Sequence, residues 1–94
     1  MTLSENNRKF LEDLIEYYIN ESQSYIQMAE EFSENVNSKT DTAFGIIIGI
    51  VYSSFLQMYA NQALKVELED IQEFYELIKI NSNEIKESFQ QKEV

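Results

Sequence analysis

Residues 43–64 read AFGIIIGIVYSSFLQMYANQAL, and the conformation of this stretch decides the fold. The β-branched run Ile46–Ile48 suits a strand on propensity alone. More than twenty residues pass without a turn signal, however, and both flanks carry helical periodicity. The stretch therefore reads as a helix over 43–65. Its continuous apolar run covers only ten residues, 43–52, and Gln57, Asn61 and Gln62 fill the second half. Phe44, Ile46, Ile47, Ile48, Ile50 and Val51 point all round the helix. A helix apolar on every side is expected to be buried on every side.

Gly45 and Gly49, the two glycines of the chain, form G-x-x-x-G, with Ser53 and Ala60 extending the row. A glycine inside a helix costs about 1 kcal/mol against alanine. Two at this spacing indicate a flat groove that another helix approaches closely. The candidate interface is Phe44, Gly45, Ile48, Gly49, Tyr52, Ser53 and Leu56. A transmembrane span is the sharper alternative, because residues 42–64 are twenty-three uncharged residues and about 20 cross a bilayer. The short apolar run and the lysines at both ends, Lys39 and Lys65, favour a core helix instead. A buried helix in one fold ranks first, the core of a homodimer second and a membrane span third.

N-terminal to this stretch, Leu11, Ile15, Tyr18, Ser22, Tyr25, Ala29, Phe32 and Val36 alternate steps of four and three. Phe10, Leu14, Tyr17 and Met28 run beside them. Asp13, Glu16, Asn20, Gln23, Gln27, Glu30 and Glu34 take the opposite face. The pattern is an amphipathic helix over 5–35, with Ser4 as its N-cap. A helix from 5 to 36 is about 48 Å long, whereas a globule of this size has a radius of gyration of about 12–13 Å. The helix must kink near Asn20–Ser24, or the molecule is elongated or dimeric. Asn35–Thr42 reads as a loop, with Thr40 or Asp41 capping the next helix.

On the C-terminal side, Ile71, Tyr75, Ile78, Ser82, Ile85 and Phe89 repeat the stripe, widened by Phe74 and Leu77. Glu69, Asp70 and Glu73 crowd the first turns, where the helix dipole favours acids. Asn81 with Glu84 resembles a capping box, which divides the segment into helices 68–80 and 82–91. One bent helix is the alternative, since the stripe keeps phase. The tail Gln90–Val94 is expected to fray. The fold class is all-α: a single domain, 1–94, forming a small bundle of three to four helices.

Function is constrained mostly by what is missing. The 94 residues contain no cysteine, histidine, tryptophan or proline. The commonest general base and metal ligand are therefore absent, as is any disulfide framework. Seventeen acids face seven bases, for a net charge of −10. Residues 1–42 carry −6, residues 43–64 nothing and residues 65–94 −4. A chain this acidic, without a basic patch, is not expected to bind nucleic acid directly. Glu12 with Glu16, Glu30 with Glu34, and Glu69 with Glu73 and Glu76 share helix faces, but those faces are polar and no Glu-x-x-His completes a metal site. Glu21 continues an inward row and is expected to reach water from its edge. The tyrosines read as packing residues with wet hydroxyls. No P-loop, dinucleotide fingerprint or nucleophile elbow is present.

The reading is a non-enzymatic association module without cofactor or metal. Its partner is itself, as a homodimer, or another helical protein. An acidic regulator of a basic site is the first alternative and a small membrane-associated subunit the second. MTLSENNRKF has no apolar core of a secretory signal, so the expected location is the cytoplasm, with a membrane as the alternative.

Overall fold

The computed structural model describes residues 3–90. They form four helices, α1 (Glu5–Asn20), α2 (Ser22–Glu30), α3 (Lys39–Asn61) and α4 (Leu68–Ser88). The result is a small all-α bundle, 78% helical, with no strand among the described residues. The β-branched run is helical, as its flanks predicted.

The long first helix is two helices. α1 starts where Ser4 Oγ accepts the Asn7 N–H at 3.0 Å, the expected N-cap. It ends at Glu21, whose φ of −102° and ψ of 15° leave the helical region. The break falls inside the polar stretch Asn20–Ser24. It lets the buried Ser22 donate its hydroxyl to the Ser88 carbonyl at 3.2 Å, joined by Gln23 Nε2 at 3.1 Å. The end of α4 thus gains donors for a carbonyl left free by helix geometry. α2 packs closely against α3, where Ala29 and Ala43 are both fully buried. Glu21 itself is exposed.

α2 stops at Glu30, five residues short of the expected 35. Glu30, Glu31 and Glu34 would load the negative end of the dipole, and Phe32 stays half exposed. Tight turns follow, with Phe32 N–H donating to Ala29 O at 3.0 Å and Asn35 N–H to Phe32 O at 2.8 Å. α3 begins at Lys39 rather than Ala43, so Thr40 and Asp41 are not its cap. Ser38 is: its Oγ accepts the Asp41 N–H at 3.0 Å, and its carbonyl accepts the Thr42 hydroxyl at 2.8 Å.

α3 ends at Asn61, short of the expected 65, in a Schellman turn. Leu64 N–H donates to Tyr59 O at 2.9 Å and Ala63 N–H to Ala60 O at 3.0 Å. The turn requires a left-handed residue, and Ala63 supplies it with a φ of 56°. α4 is a single helix, which corrects the division into 68–80 and 82–91. Asn81 Nδ2 donates to Leu77 O at 2.8 Å and Ser82 Oγ to Lys79 O at 2.9 Å. These side chains bond back onto their own helix instead of capping a new one. The expected end at 91 and the tail residues 91–94 lie outside the described residues.

α3 runs through the middle of the bundle and touches the other three helices. Leu11, Ile15, Ile47, Val51, Phe55, Phe74, Leu77 and Ile85 belong to one buried core, within which the Phe55 ring stacks on Phe74 at 5.0 Å. The radius of gyration is 14.4 Å over extents of 41 × 29 × 20 Å, so the bundle is moderately elongated.

Candidate interaction surface

α3 turns Ala43, Ile47, Val51, Phe55, Met58 and Tyr59 into the core. The opposite row is Gly45, Gly49, Ser53, Leu56 and Ala60, and all of it is exposed. Leu56, the one large side chain of the row, is 39% exposed. Phe44, Ile48 and Tyr52 are half-buried and lean toward α4. The Tyr52 ring meets Phe74 edge-on at 5.4 Å. Of the seven candidate residues, four therefore face outward and three form the flank beside α4.

This placement corrects the expectation that α3 is buried on every side. α1, α2 and α4 cover its inner face and flanks, and three helices leave the fourth side open. Only 33% of its most apolar 18-residue stretch is buried within the chain. The glycines do not serve packing inside the fold. A Cβ added to Gly45 or Gly49 meets nothing within 4 Å, and neither has a positive φ. No helix among the described residues enters the groove.

A polar clamp holds the C-terminal end of α3. There, Asn7 Nδ2 donates to Gln62 Oε1 at 3.1 Å and Gln62 Nε2 donates to Asn7 Oδ1 at 2.8 Å. This reciprocal amide pair ties α1 to the end of α3. Beside it, Tyr59 is 3% exposed and Asp70 5%. Burial, then the hydrogen bond and charge of Asp70, push the Tyr59 hydroxyl up to about 12. Asp70 Oδ2 also accepts the Glu67 N–H at 2.8 Å, which anchors the start of α4. Glu73 accepts the Leu3 N–H at 3.1 Å and pairs with Arg8 at 3.0 Å, fastening the N-terminal segment to α4.

Sequence reasoning missed Asn7 and Asp70 as buried polar residues. The signal was present in the spacing: Asn7 lies four before Leu11, and Asp70 four before Phe74, each on a core row. Among the described residues no three acidic side chains converge as a metal site. The face itself is uncharged and shallow, and it offers a partner close van der Waals contact. Comparison with protein-family models, curated proteins and solved structures finds no significant match.

Proposed function

We propose that the chain is a non-enzymatic protein–protein association module that works as a homodimer joined through the outer face of α3. One observation carries this reading: two helix-interior glycines, on an apolar helix, open onto empty space. Inside one chain they only weaken the helix. Against a second helix they allow backbones to approach closely. A second copy presents the same small row, and two-fold symmetry pairs the row with itself. Charge favours the same face. A chain of net charge −10 meets its copy with least repulsion over residues 42–64, which carry no charge. The exposed strip along α3 amounts to about 350 Å2 per partner by helix dimensions, below the roughly 800 Å2 of a stable interface. A weak, concentration-dependent dimer follows, in a cytoplasmic setting.

Light scattering after size exclusion tests the reading. The expected result is a mass that rises from 11.1 kDa toward twice that value with concentration, and falls back for Gly49→Leu while the helical circular dichroism persists. A constant monomer mass up to the high micromolar range sinks the dimer. A Gly49→Leu protein that still dimerises moves the interface elsewhere.

A second reading has its own observation. α3 is long and apolar enough to cross a membrane, which supports a small membrane-associated subunit. Partition into liposomes, with loss of the helix contacts in α1 and α4, is its test; a chain that stays in the aqueous phase rejects it.

A further inference from the structure

Grooves of about 350–440 Å3 lie between the helices, and they differ in charge. The one between α1 and α3 is lined by neutral side chains, among them Asn7, Gln57 and Asn61. The one between α1 and α4 holds Arg8 against Glu12, Glu16 and Glu84. The third, between α3 and α4, is about 440 Å3 and is lined by Phe44, Ile48, Ile78 and Tyr75 with Lys79 and Lys86, and by no carboxylate. Two of the seven basic residues in a chain of net charge −10 thus border one apolar groove.

We propose that the α3–α4 groove binds a single-chain anionic amphiphile, an acyl chain ending in a carboxylate or phosphate. The chain lies on Ile48 and Ile78 beside the exposed Tyr75 ring, and the head meets Lys86 at the Phe44 end, with Lys79 on the flank of the groove. The lysines are two helical turns apart on one flank of α4. Lys86 lays its stem along the floor, with Nζ 5.0 Å above the centre of the Phe44 ring. Their present partners are displaceable. Lys86 pairs with Asp41 at 3.5 Å and Lys79 with Glu76 at 3.7 Å, both with solvent-exposed carboxylates, and such pairs contribute little. Size selects a small ligand over a docked helix. The groove is within the roughly 300–1,000 Å3 of small-molecule sites, whereas a helix with its side chains is about 10 Å across. From Phe74 to Lys86 the groove runs about 18 Å along α4, which suits an extended chain. The site goes beyond the dimer reading, and its charged half belongs to α4.

Calorimetric titration of the full chain with monomeric dodecanoate, dodecyl phosphate and dodecanol tests the proposal. The expected result is saturable one-to-one binding of the two anions and at least ~tenfold weaker binding of the alcohol, reflecting the charge-assisted head contact. The double variant Lys79→Gln, Lys86→Gln, with unchanged circular dichroism, should weaken the anions by a similar factor and leave the alcohol unaffected. Ser82→Phe, which fills the groove from α4, should abolish all three. No saturable binding overturns the proposal, as does equal binding of anion and alcohol, or an unaltered double variant. Binding only to anionic vesicles, never to the monomeric compounds, overturns it in favour of a bilayer. Scattering mass recorded on the same samples reports the dimer separately.

Discussion

Asn7 and Gln62 face each other across 55 residues of sequence, each amide both donating to and accepting from the other, at 3.1 and 2.8 Å. The pair closes the end of the bundle where α3 stops, on the rim of the neutral groove between α1 and α3. Asn7→Ala should destabilise the fold by about 0.5–1.5 kcal/mol, the net worth of a hydrogen-bonded pair whose Gln62 half is exposed and can turn to water. Gln62→Ala added to it should cost little more. Urea denaturation of the single and double variants measures the coupling, and fully additive losses would contradict a reciprocal pair.

Gly45 and Gly49 have open space where a Cβ would sit. Gly49→Ala should therefore raise the stability of the dilute chain by about 1 kcal/mol, the ordinary helix-propensity gain. The same change should weaken dimerisation, because a methyl group separates the paired backbones. Thermal melts at low concentration and scattering at high concentration read the two effects separately. A stability loss in the dilute chain would mean that a neighbour does occupy the groove.

Ala63 holds a φ of 56° at the Schellman position after α3. An L-residue with a Cβ pays about 1–2 kcal/mol for the left-handed conformation, and glycine does not. Ala63→Gly should raise stability by about 0.5–1 kcal/mol, after allowing for the greater freedom of glycine in the unfolded chain. Denaturant midpoints test this, and a lower midpoint would show that the alanine methyl packs.

Tyr59 titrates near 12 in the folded chain, against about 10 unfolded. The neutral hydroxyl is the form the fold prefers. Its contribution is fully present below pH 10, since both states are then protonated. It is lost as pH rises from 10 through 12, because the unfolded chain ionises first. The loss reaches about 2 kcal/mol. Tyr59→Phe should flatten this part of the stability profile. Denaturation series between pH 9 and 12 decide it, and an unchanged slope in the variant would assign the alkaline loss to other groups.

Much of the architecture was legible because helix periodicity is local. The rows through Leu11 and Ile15, and through Phe74, Ile78 and Ile85, identify core faces without any tertiary knowledge. Ser4 was legible as a cap for the same reason. The Ser38 cap was not, since Ser38, Thr40 and Asp41 are all good caps within four residues, and only the path of the chain from α2 chooses among them. The continuity of α4 through Asn81 and Ser82 was equally hidden. Their side chains bond backward to Leu77 and Lys79 when the apolar stripe on both sides already has a core to cover. The groove beside Lys79 and Lys86 joins two helices and has no one-dimensional signature.

By itself the sequence determined that residues 43–61 are uncharged, largely apolar and helical, and that acidic amphipathic segments flank them. Those properties depend on side-chain chemistry and on spacing along one helix. Only the tertiary structure decided which side of α3 stays open. The break at Glu21 lets α2 pack against α3, and the Gly45–Gly49 row faces out because three helices cannot surround a fourth. Which face of an all-round apolar helix remains uncovered depends on how its neighbours arrive, and periodicity within that helix carries no record of it.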